Sequence, residues 1–182
     1  VLIPLGDFCI RNYRTEDAAS LARYADHPEV AANLRDVFPH PYTLADAREW
    51  IESALITDPP LDSAIASASE CIGGIGMIPQ EDINRLGAEI GYWLGRPFWG
   101  KGIATKAVRA FTAWIFENFS FVRLYANTFS SNLASAWVLE KAGFRLEGRL
   151  RNNVIKNGVV MDQLVYGLLK EDIWKDLSLT ID

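Results

Sequence analysis

The sequence predicts a mixed α/β domain built on one central, mostly antiparallel twisted sheet of about seven strands, flanked by helices. Three observations carry this expectation. Seven short segments alternate or run apolar with strand-like composition, and helix-period stretches lie before and between them rather than strictly alternating with them. Three consecutive strand-like segments, at 62–68, 72–78 and 88–94, have no helix between them, which disfavours a nearly all-parallel doubly wound sheet. No repeat, linker or compositional break divides the 182 residues, so residues 1–182 are expected to form a single domain.

The elements follow from local patterns. Residues 8–13 read as a first strand, and Thr15 as an N-cap for a helix whose Ala18, Leu21, Ala22 and Ala25 share a face. His27-Pro28 ends it, and a short helix is expected from Glu29 to about Leu34. After Pro39-His40-Pro41, Thr43 caps a third helix with Leu44, Ala47, Trp50, Ile51 and Leu55 at helical spacing, and Asp58-Pro59-Pro60 closes it. The three strands that follow are expected to form an antiparallel meander, the first two joined by a turn at Ser69-Glu70. Residues 103–118 carry Val108, Phe111, Trp114 and Ile115 on a helix period. A strand at 123–128 and a helix at 132–142 ending on Gly143 come next, then a hairpin of 144–155 and 159–169 around Asn157-Gly158.

Composition removes several function classes. Hydrophobic residues make up 49% and charged residues 23%, as in a soluble globular protein. A net charge of −5 argues against nucleic acid as principal partner. Cys9 and Cys71 form no CxxC pair and stand near no histidine cluster, so neither a disulfide framework nor a metal site is expected, and a reducing, cytoplasmic setting fits. No apolar run is long enough to span a membrane and the first residues lack a signal-peptide pattern, so no membrane role is expected.

The most informative stretch is 87–108, where a strand-like run meets Gly100-Lys101-Gly102 and opens into a helix. Free N–H groups at a helix N-terminus, its dipole and glycines that admit close approach make a diphosphate cradle. One alternative is a plain strand-to-helix turn. Another is a nucleoside-triphosphate loop, since residues 95–101 match the first seven positions of G-x-x-x-x-G-K-[ST]; the eighth is Gly102, where a magnesium-binding hydroxyl belongs.

Together, residues 89–105 and the downstream Asn132-Leu-Ala-Ser-Ala-Trp-Val-Leu-Glu-Lys-Ala-Gly-Phe144 block resemble the GNAT acetyltransferase superfamily, in particular its ribosomal-protein alanine N-acetyltransferase branch. The resemblance runs from Ile10-Arg-Asn-Tyr-Arg14 to the 168–172 tail. It implies an acyl-CoA N-acyltransferase fold with acetyl-CoA as cosubstrate and no metal. It also implies transfer to a primary amine, of a peptide N-terminus or a small molecule, in a ternary complex. The cofactor would rest on backbone N–H groups of Trp99, Gly100, Lys101, Gly102, Ile103, Ala104 and Thr105, with further contacts from Asn127 and Asn132. The family's turn begins with Gln or Arg where this chain has Pro97, after Arg96.

Acetyl transfer needs a neutral amine, a stabilised oxyanion and a proton for the thiolate. The resemblance offers Glu89 as base, its alternative being a polar residue on an exposed strand face. It places the backbone of Trp93 and Leu94 beside the thioester, where the family's strand splays from its neighbour. The family's usual acidic tyrosine falls at Leu139, and Ser135, one helical turn after Asn132, is the candidate in its place. For the acceptor, Asn33, Arg35, Phe38, His40 and Tyr42 lie between the early helices, and Asn152, Asn153 and Asp162 on the final hairpin. The six tryptophans, Trp50, Trp93, Trp99, Trp114, Trp137 and Trp174, are expected mostly in the core, with Trp93 and Trp137 able to line a cofactor groove. A non-catalytic acyl-CoA-binding module remains an alternative, and a monomer or homodimer is expected.

Overall fold

The computed structural model describes residues 1–173, so Trp174 lies outside the described residues. The elements run β1 (Leu2–Pro4), β2 (Cys9–Arg11), α1 (Ala18–Ala25), α2 (Pro28–Ala31), α3 (Leu44–Ile56), β3 (Asp62–Ala66), β4 (Cys71–Pro79) and β5 (Gly87–Leu94). They continue with α4 (Ile103–Asn118), β6 (Arg123–Phe129), α5 (Leu133–Lys141), β7 (Arg145–Lys156) and β8 (Val159–Leu169). All eight strands join one sheet in the order β1-β2-β3-β4-β5-β6-β8-β7. The strand beyond the expected seven is β1, three residues too short to show a period, recruited to the edge by pairing with β2.

Every neighbouring pair is antiparallel except β5 and β6, which run parallel and are joined through α4. That β-helix-β connection crosses one face of the sheet and buries Val108, Phe111 and Ile115 of α4 against Ile75, Met77, Ile90 and Leu124. Leu139 of α5 is fully buried in the same cluster. The opposite face is covered by α1 and α3, with Leu21, Ala47 and Ile51 packed on Tyr13, Ala64 and Cys71. Trp114 stacks on Phe111 at 5.7 Å as expected of a core aromatic, but Trp50 and Trp137 are 41% and 59% exposed.

Local signals hold where a side chain fixes them. Thr43 and Asp46 form a reciprocal capping box at α3: Asp46 N–H donates to Thr43 Oγ1 at 3.2 Å, and Thr43 N–H to Asp46 Oδ2 at 2.7 Å. Asn157 and Gly158 both take positive φ, 50° and 78°, as a two-residue hairpin turn requires. The expected cap at Thr15 is replaced by a 3₁₀ turn at Thr15–Asp17 that leads into α1. Its Asp17 carboxylate accepts Arg14 N–H at 2.9 Å and both Arg11 guanidinium nitrogens at 2.7 Å.

Arg11 and Asp17 are buried, their side chains 9% and 5% exposed, so the bidentate pair fastens the start of α1 to β2 in a dry setting. Removing the carboxylate strands a guanidinium there. Asp17→Ala is expected to cost about 3–5 kcal/mol of stability, measured by urea denaturation of the two proteins at pH 7.

Candidate active site

The parallel pairing of β5 and β6 stops early. It covers Gly87–Arg123, Ala88–Leu124 and Glu89–Tyr125, and beyond that point the strands part company. The last five residues of β5 face no partner on that side, although β6 stays paired with β8 along its whole length. A wedge therefore opens at the carboxyl ends of two parallel strands, each followed by a helix. The N-termini of α4 and α5 both lie at that end, the place where open α/β sheets hold ligands.

Side chains span the wedge. At its apex Asn127 Nδ2 donates to Glu89 Oε1 at 3.1 Å. From the α5 side, Ser135 Oγ lies 2.8 Å from the Tyr92 hydroxyl, which also donates to the Ser135 carbonyl at 3.2 Å. Burial pushes the Tyr92 pKa well up, so its hydroxyl keeps its proton at neutral pH. Asn132 is the N-cap of α5, its Oδ1 accepting Ser135 N–H at 3.1 Å, which leaves its Nδ2 as a donor. In the β4–β5 ladder, Gly95 N–H donates to Ile72 O at 2.8 Å. The two-residue alternation of an antiparallel ladder then turns Leu94 N–H away from β4, toward the opening, and Trp93 N–H toward Gly74.

The turn into α4 is held by side chains that a sequence pattern does not show. Trp99 Nε1 donates to Leu94 O at 2.7 Å, tying the turn to the end of β5. Arg96 pairs with Glu29 at 2.6 Å and stacks over Trp99, and Lys101 lies over the Phe98 ring. Phe98 in turn packs edge-on against Tyr24, with centroids 5.1 Å apart. The loop from Gly95 is thus filled by its own aromatic residues, which overturns the nucleotide-loop alternative: a phosphate-wrapping loop needs an empty, glycine-lined concavity. The cradle lies past it. Gly100 and Gly102 both adopt φ of 73°, conformations that favour glycine, with open space where a Cβ would stand. Lys106 N–H bonds to Gly102 O, so the N–H groups of Ile103, Ala104 and Thr105 have no helical partner.

A cavity of about 670 Å³ runs from the wedge to the face covered by α1 and α3. Glu89, Tyr92, Trp93, Asn127 and Ser135 line its inner end; Phe38, Tyr42, Trp50 and Arg35 line the rest. The structure thereby gathers Glu89 and Ser135 with Arg35, Phe38 and Tyr42 of the expected acceptor side. Asn33 and His40 are not among the lining residues: Asn33 donates to Glu29 O, and His40 sits 3.4 Å from Asp26. The hairpin residues are also elsewhere. Asp162 accepts from Arg149 Nε and the Asn152 backbone N–H, and Asn153 donates to Gln163, all within the hairpin.

Sequence reasoning missed Tyr92 and Asp62. Tyr92 shares the core-facing side of β5 with Ile90 and Leu94 and reads as a packing aromatic. Asp62 opens β3 and lines the cavity. It has no hydrogen bond or ion pair among the described residues, and burial alone raises its pKa to about 6. Among the described residues no group of three or more His, Cys, Asp or Glu is gathered as for a metal ion. No described helix is long and apolar enough to cross a membrane.

The family model of the acetyltransferase (GNAT) domain matches residues 7–145. Among curated proteins, the uncharacterized N-acetyltransferase p20 of Bacillus licheniformis is 32% identical over 173 residues, covering 90% of this chain and 93% of its own. Two solved structures share the fold. RimJ of Mycobacterium smegmatis in complex with CoA-disulfide has a TM-score of 0.81 at 22% identity, over 98% of this chain and 92% of that one. The microcin C7 self-immunity acetyltransferase MccE, in complex with acetyl-CoA and AMP, has 0.79 at 24%, over 91% and 93%.

The state of Asp62 sets a pH dependence of stability. A carboxyl whose folded pKa is raised from 3.8 to about 6 binds its proton more tightly in the folded chain. Its favourable contribution is full below about pH 4 and is lost as pH rises through about 6. Asp62→Asn is therefore expected to equal the parent in melting temperature near pH 4 and to exceed it above pH 7, by scanning calorimetry at both pH values.

Proposed function

The chain belongs to the GNAT acetyltransferase family and is an N-acyltransferase; from that premise we propose that it moves an acetyl group from acetyl-CoA to a primary amine by direct transfer in a ternary complex. The observation that carries the reading is the wedge between β5 and β6, with helix N-termini at its open end and a cavity entering from the other face. A donor and an acceptor can thus approach one point from opposite sides.

The residues present fit acetyl-CoA. Gly100 and Gly102 leave open space before three unpartnered N–H groups, a geometry that accepts a pyrophosphate without side-chain ligands. The backbone from Trp99 to Thr105 is the proposed cradle, with Lys101 adding charge, and Asn132 Nδ2 and the free edge of β5 at Trp93 and Leu94 flank the pantetheine. When bound, acetyl-CoA supplies the activated acetyl group and a thiol leaving group. Leu94 N–H is aimed into the wedge as the oxyanion donor.

Glu89, steadied by Asn127, takes the proton from the incoming ammonium directly or through water. Ser135 donates to the departing sulfur. A thiol has a pKa of about 8.5, so its thiolate needs a hydrogen bond more than a strong acid, and a serine suffices. Tyr92, whose own proton is held by burial, orients the Ser135 hydroxyl across the 2.8 Å contact. That arrangement serves where Leu139, fully buried, replaces the family's tyrosine. Asn127, expected on the cofactor, is thereby proposed as a positioning residue for the base. The acceptor is an amine of a peptide N-terminus or a small molecule. Cys9 and Cys71 are both free, which supports a reducing, cytoplasmic setting.

Glu89→Gln is expected to lower kcat by about 10²–10⁴-fold with CoA affinity unchanged, by thiol release and calorimetric titration with CoA. Thioester consumption equal in parent and variant overturns Glu89 as the base, and a parent that does not bind CoA overturns the cradle. Tyr92→Phe and Ser135→Ala should each lower kcat, and the double variant should be no slower than Ser135→Ala, because Tyr92 acts through that hydroxyl.

A further inference from the structure

The cavity holds a carboxylate that the transfer chemistry does not use. Glu89 has Asn127, Asp46 is committed to the Thr43 cap and Glu49 is exposed to water on α3, but Asp62, drawn away from water, has no hydrogen bond or ion pair among the described residues. Nor is it simply a strand residue turned to solvent. In the sheet, Asp62 lies opposite Gly76 of β4, and Gly76 opposite Gly91 of β5. The Asp62 carboxylate leans across this row: a Cβ on Gly76 would stand 2.0 Å from Asp62 Oδ1, and a Cβ on Gly91 would meet nothing within 4 Å. Two glycines thus clear a floor from the carboxylate to the edge of the wedge.

The walls around that floor are aromatic. Tyr13, Phe38, Tyr42, Trp50 and Trp93 all line the cavity. Tyr13 is wholly buried and its hydroxyl pKa is raised further by the charge of Asp62, and burial lifts Tyr42 to about 12, so both rings are neutral. Neutral π faces beside a desolvated carboxylate attract a cation and give an anion nothing. The lining has four carboxylates, Asp46, Glu49, Asp62 and Glu89, against the single guanidinium of Arg35.

From these observations we infer that Asp62, in its aromatic surround, is a second-cation subsite, and that the acceptor is a primary amine carrying another positive charge. The inference rests on the proposed acceptor channel and names the class of molecule that enters it. From the Gly76 position to the middle of the β5–β6 wedge is about one and a half strand spacings, roughly 7 Å, and with side-chain reach up to about 10 Å. A linker of about four to six bonds spans that gap. The separation matters chemically. Glu89 is the carboxylate at the reacting nitrogen, where it takes the proton, whereas Asp62, held a cavity-length away, recognises the second charge without touching the nucleophile.

The test uses the whole chain and direct binding, so it does not depend on turnover. Calorimetry compares 1,5-diaminopentane with hexylamine, equal in heavy atoms but differing in the second charge, and the peptide Lys-Ala-Ala, whose α- and ε-amines lie within the same linker length, with its norleucine counterpart, which distinguishes a small diamine from a basic N-terminus. In the parent, the dication of at least one pair is expected to bind ten-fold tighter or more. In Asp62→Asn that ratio should fall to near one, and Gly76→Ala, which keeps the charge but displaces the carboxylate, should also reduce it. A parent ratio near one in both pairs, no binding of any of the four, or a ratio that persists in Asp62→Asn overturns the inference. Titration of the parent with CoA runs alongside: its failure counts against the transferase reading, while the charge ratios still decide the role of Asp62.

Discussion

The end of hydrogen bonding between β5 and β6 after Glu89–Tyr125 is the constraint on which the site depends. The other neighbouring strands pair antiparallel, with bulges in β3–β4 and β7–β8, and β6 satisfies its other edge against β8 over seven residues. A wedge inside a sheet leaves backbone polar groups that the structure must satisfy or put to use. Here Trp99 Nε1 caps the Leu94 carbonyl, and Asn127 and Tyr92 each bridge the gap with a side chain. Leu94 N–H, like Tyr92 N–H two residues before it, faces the opening. The wedge is thus braced at its apex, along its length and at its mouth, so an N–H group can stay directed at a ligand without the edge collapsing onto its neighbour.

How far this was legible depends on whether the signal is local. Period and turn chemistry sufficed for α3, α4 and α5, for the meander and for the Asn157-Gly158 hairpin, because a capping box or a positive φ acts within a few residues; they misjudged the start of α1 and the end of α2, which stops at Ala31 rather than about Leu34. The insertion of β8 between β6 and β7 has no local signature and follows from pairing across the sheet. The glycine turn is readable as an anion cradle even though Pro97 stands where the family has Gln or Arg, but what braces the turn is not. The structure supplies the stiffness by another route, Trp99 bonded to Leu94 and stacked under Arg96.

Site residues divide the same way. Glu89 and Ser135 were accessible through motif order, and the chain brings them to one cavity. Tyr92 was not, because alternation along β5 assigns it to the core, and its partner lies 43 residues downstream. Asn152, Asn153 and Asp162 are a different case: they lie away from the cavity, with Asp162 and Asn153 bonded to hairpin neighbours. A polar side chain becomes available to a ligand only when the fold leaves it unpaired, and pairing is a property of three dimensions.

Asp17 and Asp62 make that distinction within one chain. Both carboxylates are drawn away from water, but Asp17 receives two guanidinium nitrogens and a backbone N–H, while Asp62 receives nothing among the described residues. Desolvating a carboxylate without a partner is among the more costly things a fold can do. The cost at Asp62 is moderated by its opening onto the cavity and by an upward pKa shift that stops near neutrality. A smaller or neutral residue opening β3 would avoid it altogether. Gly76 compounds the point, since any side chain there would meet the carboxylate, so β4 gives up a packing residue at the place where Asp62 needs room. A destabilising charge, and a glycine that keeps it in place, make physical sense together when the missing counterion arrives with the ligand.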